Sequence, residues 1–153
     1  MWSQHDSWIE TYHVLPLFAG WSRSELRLVS GVTTRLILPP GKVLAHQGQQ
    51  PSAFVIVLDG IAEARRDGRH VEEIATGSYF GEISLVRGIC EPATVIAQTD
   101  LTVDVVGQRE FRTLYSLVDG FRERVDHELN RRVTRWITPR STVTAYTTLA
   151  LAG

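Results

Sequence analysis

A single cysteine, Cys90, is all the sulfur chemistry that the 153 residues offer, so an internal disulfide is excluded and a reducing compartment suits the chain. Cys90 is read as a packed small side chain rather than a reactive thiol. Charge excess is lacking too. Sixteen basic against seventeen acidic residues leave a formal net charge of -1, which supplies no long-range field for nucleic acid or an anionic membrane. Any anion must therefore be held by local groups. No apolar run approaches the roughly 18 residues of a membrane span, and Met1 to Asp6 show no basic region leading into an apolar one, as a secretory signal would. The expectation is a cytoplasmic protein with neither membrane nor nucleic acid as partner. Histidine clusters are absent as well: His5, His13, His46, His70 and His127 are scattered without ligand spacing, so no metal is expected.

What is present fits one domain, because 43% hydrophobic residues in 153 suffice for one sizeable core and no second. Residues 1–140 are assigned to that domain and 141–153, rich in Thr and Ala, to a tail or linker. Glycines at 41, 48, 60, 68, 77, 81 and 88 separate short segments rich in Val, Ile and Leu, the rhythm of many short strands. Phe54 to Leu58 precede Asp59-Gly60, and Ile61 to Arg66 run into the hairpin dipeptide Asp67-Gly68, with Val71 and Ile74 on the return. Ala93 to Ala97 and Leu101 to Val106 are two further β-branched runs. Seven or eight strands over about 33–107 indicate a sandwich, jelly roll or barrel.

Helices flank this block. Ser22 and Glu25 have the spacing of a capping box, with Leu26 and Val29 on the buried face behind it. After the block, Phe121, Val125, Leu129, Val133 and Trp136 recur at spacings of four, four, four and three, which predicts one amphipathic helix over about 119–137. Pro139 lies past its end. Arg131, Arg132 and Arg135 are interspersed with acidic residues on this helix and are read as a solvated face. The fold class is therefore mainly β with flanking helices.

The informative segment is Gly77-Ser78-Tyr79-Phe80-Gly81-Glu82-Ile83-Ser84-Leu85, followed by Ala93-Thr94-Val95. Gly81 lets a backbone approach a ligand closely, and a helical turn beginning there turns N–H groups toward an anion. A carboxylate beside those amides can accept from sugar hydroxyls. Gly-Glu is a common dipeptide, and alone it decides nothing. Ser84 has no histidine and carboxylate partners assignable from sequence, so a serine nucleophile is not expected. Glu82 and Glu91 remain open as a carboxylate pair. A cupin-like metalloenzyme would share the β architecture, and the scattered histidines count against it.

In its order and spacing the chain resembles the cyclic-nucleotide-binding domain family. The resemblance runs from residue 14 to about 136 through Leu15-Pro16-Leu17-Phe18, Ser22 to Leu26, Pro40-Gly41, Gly48, Val57-Leu58-Asp59-Gly60, Asp67-Gly68-Arg69, Gly77, Phe80-Gly81-Glu82, Ala93-Thr94-Val95, Ala97 and Phe111. It implies an antiparallel, jelly-roll-like β-roll with N-terminal helices and a long C-terminal helix, and a non-catalytic regulatory domain with cAMP or cGMP as candidate ligand and no further cofactor. It implies that Gly81, Glu82, Ile83 and Ser84 form the ribose and phosphate turn, with Glu82 on the ribose and Thr94 as the hydroxyl residue. Arg132 and Trp136 on the last helix would cap a purine. The family's phosphate-binding arginine is missing: Glu91 stands in its place, and Pro92 after it offers no backbone N–H.

A lost charge-assisted bond to phosphate, about 1.5–3 kcal/mol, and a like-charge contact, about 1–4 kcal/mol, together weaken binding by roughly two to five powers of ten. Arg87, four residues earlier, is the one candidate for a replacement. Two functional readings follow: a weak sensor of cyclic nucleotide, or a ligand-independent module for dimerisation through the last helix or for binding an effector protein.

Overall fold

The computed structural model describes residues 4–137; the expected tail over 141–153 and the helix-terminating Pro139 lie outside the described residues. Among the described residues eight antiparallel strands form two four-stranded sheets: β1 (Thr33–Leu38), β2 (Val43–Ala45), β3 (Ala53–Asp59), β4 (Ile61–Arg66), β5 (Arg69–Ala75), β6 (Tyr79–Phe80), β7 (Thr94–Ala97) and β8 (Leu101–Gly107). One sheet has the order β1-β8-β3-β6 and the other β2-β7-β4-β5. This is the antiparallel β-roll with flanking helices that the resemblance implies, and its eight strands match the seven or eight of the glycine rhythm. Asp67 and Gly68 both take positive φ, 53° and 77°, and close the β4–β5 hairpin at the expected dipeptide.

Among the described residues five α-helices surround the roll: α1 (Gln4–His13), α2 (Arg23–Ser30), α3 (Glu82–Arg87), α4 (Gln108–Leu117) and α5 (Asp119–Trp136), with a 3₁₀ turn at Pro16–Phe18. The capping box forms as expected, since the Glu25 amide donates to Ser22 Oγ at 3.2 Å and the Ser22 amide to Glu25 Oε1 at 3.0 Å. The sequence reading anticipated neither α1 nor α4. Gly107, the residue before α4, has no side chain to cap the helix, and α4 carries only Phe111 and Leu114 as buried apolar residues.

Apolar side chains gather in two clusters. One lies between the helices and the first sheet, around Phe18, Phe54, Phe111 and Phe121, and the other fills the roll between the sheets, around Val57, Ile74, Phe80 and Val103. A buried polar group ties α1 to the first sheet: Asp104, with no exposed surface, accepts from the Tyr12 hydroxyl and from Arg35 Nε and Nη2 at 2.9 and 3.0 Å. Arg35 and Asp104 are direct cross-strand partners in the β1–β8 ladder, so the strand register itself builds this pair.

Phe121, Val125, Leu129 and Trp136 of α5 are all buried within the chain, which spends the apolar stripe on its own core. Two readings need correction. Arg132 is completely buried rather than part of a solvated face, because it sits three residues after Leu129 and four before Trp136, on the inward stripe. Cys90 is exposed rather than packed, since it lies in the loop after α3 and outside both apolar clusters.

Candidate functional site

The site is built where β6 ends and α3 begins. Gly81 has φ 101°, and a Cβ there would collide with the Ala53 carbonyl oxygen on the neighbouring strand, so only glycine allows this close approach. α3 then starts at Glu82, and its first-turn amides have no intrahelical acceptor. Glu82, Ile83 and Ser84 are all buried, and Ser84 Oγ donates to the Gly81 carbonyl at 3.2 Å. Gly81→Ala is expected to cost about 2 kcal/mol or more in chemical denaturation, from strain at positive φ and the backbone clash. An unchanged midpoint would show that the turn is not held as described.

α3 ends at Gly88 in the left-handed conformation, and a loop leads back to β7. This loop is pinned to residues 47–49: the Glu91 amide donates to the Gln49 carbonyl at 2.8 Å, the Gly48 amide to the Glu91 carbonyl at 2.9 Å, and the Gln47 amide to Thr94 Oγ1 at 3.0 Å. Pro92 is buried, and its carbonyl accepts from Arg66 Nη1 at 2.8 Å.

Held in this way, Glu91 is only 7% exposed. Burial pushes its carboxyl up to about 7; the Ser84 hydroxyl and the Ser52 backbone hold it down, and the neighbouring Glu82 charge pushes it up. Glu91 thus shares one electrostatic environment with Glu82 and Ser84. Arg87, at the end of α3, is exposed, and among the described residues no ion pair joins it to Glu91.

Glu82 also faces an arginine. Arg132 Nη1 lies 2.8 Å from Glu82 Oε1, while Arg132 Nη2 and Nε reach Glu72 Oε2 at 2.8 and 3.0 Å. Burial opposes the charge on Arg132, but the Glu82 and Glu72 carboxylates outweigh it and hold the guanidinium firmly protonated. Burial pushes the Glu82 carboxyl up, against the pull of Arg132. The guanidinium lies 5.0 Å from the Trp136 ring and 5.5 Å from the Tyr79 ring, so Trp136 covers Arg132 and is itself 3% exposed.

Gly81, Glu82, Ile83 and Ser84 are contiguous at the turn, and Glu91, Pro92 and Thr94 follow on the pinned loop and β7. Arg132 and Trp136 come to the same place from the far end of the chain. Sequence reasoning missed Glu72, whose place among alternating residues of β5 gave no sign that three arginines would converge on it. No group of three or more His, Cys, Asp or Glu arranged to hold a metal ion occurs among the described residues.

Residues 35–117 match the model of the cyclic nucleotide-binding domain. This chain belongs to the cyclic nucleotide-binding domain family. It is 29% identical over 124 residues to a cAMP-dependent protein kinase regulatory subunit of Yarrowia lipolytica, an alignment covering 79% of this chain and 32% of that protein. The chain spans about a third of that relative's length. Among solved structures, the regulatory domain of Toxoplasma gondii PKA with cAMP has a TM-score of 0.72 at 22% identity, covering 82% of this chain and 50% of that one. The regulatory subunit of a cAMP-independent protein kinase A from Trypanosoma brucei has a TM-score of 0.73 at 18% identity, covering 86% and 46%. No described helix of this cyclic nucleotide-binding domain is long and apolar enough to cross a membrane.

Proposed function

We propose that this domain is a non-catalytic regulatory module whose site takes cAMP or cGMP only weakly. The observation that carries the reading is Glu91, buried beside Glu82 and Ser84 where the resemblance expects a phosphate-binding arginine. A carboxylate there repels a cyclic phosphate, and Pro92 withholds the next amide. Gly81, Glu82, Ile83, Ser84 and Thr94 keep the rest of the turn.

Titration calorimetry with cAMP and cGMP tests this. Dissociation constants weaker than about 100 µM are expected. Submicromolar binding would sink the reading and give the phosphate to Arg87.

A second reading, a ligand-independent interaction module, is favoured by Arg132, which already occupies Glu82. The likeness to a cAMP-independent regulatory subunit is compatible with it. Because the apolar stripe of α5 is spent internally, an effector protein suits this reading better than a second copy docked through that stripe.

A further inference from the structure

Single exposed leucines are ordinary on a globular surface, but exposed apolar residues that line one concavity together are not. Leu28, Val32 and Leu117 are 58%, 39% and 74% exposed, and all wall a groove of about 180 Å³ between α2 and α4 whose floor is Leu114 and Val118. The helical stripes leave them there. On α2 the buried residues are Leu26, Val29 and Ser30, and Leu28 falls outside that stripe; on α4, Phe111 and Leu114 are spent in the core, and Leu117, one turn further, is left outside. Neither apolar cluster uses any of the three wall residues. The groove is smaller than the roughly 300–1,000 Å³ of a small-molecule pocket, and it suits an inserted aliphatic or aromatic side chain.

Its rim is cationic. Arg23, Arg35, Arg122 and Arg131 each pair with a carboxylate, whereas Arg109, at the groove, and Arg112, one turn along α4, have no ion pair among the described residues. Arg109, Arg112, Thr113 and Ser116 have the i, i+3, i+4 and i+7 spacing of one helix face, and with Leu117 they line a more open hollow that continues the groove. Glu110 also lines the groove, but it is turned back to the start of α4, where its Oε2 lies against Gly107. Guanidinium groups without partners beside an apolar groove are complementary to carboxylates beside an apolar anchor. A second copy docked through the same patch would bring its own Arg109 and Arg112 against these, and like charges oppose that arrangement.

We propose that the groove between α2 and α4 docks an acidic amphipathic helix of a partner protein, which inserts an aliphatic or aromatic side chain among Leu28, Val32 and Leu117 and sets carboxylates on Arg109 and Arg112. This is the helix-in-groove mode of recognition. It rests on the interaction-module reading, for which it names the surface, and it uses no residue of the candidate site, so the cAMP titration and the docking test succeed or fail separately.

The probe is a fluorescein-labelled peptide of about 16 residues, long enough to form a helix, with leucines at i, i+3, i+4 and i+7 spacing on one face and glutamates on the other. Titrated with the whole chain and followed by anisotropy, it should bind with a dissociation constant below about 50 µM, and at least about tenfold more weakly when lysine replaces each glutamate or alanine each leucine. Leu28→Gln with Leu117→Gln, both at exposed positions, should also weaken binding at least about tenfold. Arg109→Glu with Arg112→Glu should do the same and make the lysine peptide the tighter of the two. Circular dichroism checks the fold of each variant, and if the glutamine pair does not fold, the charge-reversed pair decides by the same contrast.

No binding at about 1 mM, equal binding of the glutamate and lysine peptides, or binding that neither pair of substitutions changes overturns the proposal. Self-association in light scattering that the glutamine pair abolishes would give the groove to a second copy. Co-sedimentation with phosphatidylserine–phosphatidylcholine vesicles that the same pair abolishes would give it to a membrane. Either result overturns the acidic helix as occupant.

Discussion

Glu91→Arg combined with Pro92→Ala is expected to bind cAMP at least about a hundredfold more tightly than the unmodified chain. The change removes a carboxylate from beside the turn and supplies a planar guanidinium whose paired N–H groups suit phosphate oxygens. Pro92→Ala restores one backbone N–H next to it. Glu91→Arg alone should gain less than the pair, and the two need not be additive because both act on one anion. Since the Glu91 carboxyl is pushed up to about 7, the repulsion it exerts at neutral pH is partial, and the larger share of the gain comes from the new attraction. Adding Glu82→Ala should reduce binding again by removing the proposed ribose acceptor, with circular dichroism unchanged. If the double variant is folded and calorimetry shows no gain, Glu91 does not face the anion position, and the weak-site reading loses its support.

How much of this was legible beforehand depended on how far apart the deciding residues lie in the chain. The Asp67-Gly68 hairpin and the Ser22–Glu25 capping box are short-range devices, complete within a few residues, and both form where the sequence places them. The α5 stripe follows from periodicity, and its bounds came out within a residue. Periodicity says nothing of a charged residue that falls on the stripe. Arg132 reads as solvated until Glu72, sixty residues earlier, and Glu82, fifty earlier, are brought to it by the strand order. The Tyr12–Asp104–Arg35 group is hidden in the same way, since it requires α1 to lie across the β1–β8 ladder. For Glu91 the sequence offered an alignment position but not a direction. Its burial depends on hydrogen bonds between the loop after α3 and residues 48 and 49, which no local pattern announces.

Glu91→Gln should make the protein more stable at pH 8 and leave it nearly unchanged at pH 5. The Glu91 carboxyl titrates near 7 in the folded chain against an ordinary value of 4.5, with burial as the main cause. A raised carboxyl means that the folded state holds the proton more tightly, so its contribution to stability is fully present below pH 4.5 and is lost as pH rises through 7. At about 1.4 kcal/mol per pH unit, ionised Glu91 costs roughly 3 kcal/mol once pH is well above 7. Glutamine keeps the shape without the charge and escapes that loss. For a chain of this size the difference amounts to roughly 5–10 °C in melting temperature at pH 8. Glu128, held below its ordinary value chiefly by the Arg131 hydrogen bond, acts in the opposite sense and loses its stabilisation only at more acid pH; Glu82, which burial pushes up as well, is common to both proteins, so the difference between their curves is the part that belongs to Glu91. Melting curves for both proteins across that window are the measurement. Curves that stay parallel would remove Glu91 as the titrating group, and with it the buried carboxylate on which the proposed weak-site reading rests. Convergence at pH 5 carries a functional corollary: protonated Glu91 no longer repels a phosphate, so the weak cAMP binding proposed above should tighten up to about tenfold from pH 8 to pH 6, and Glu91→Gln should abolish that dependence.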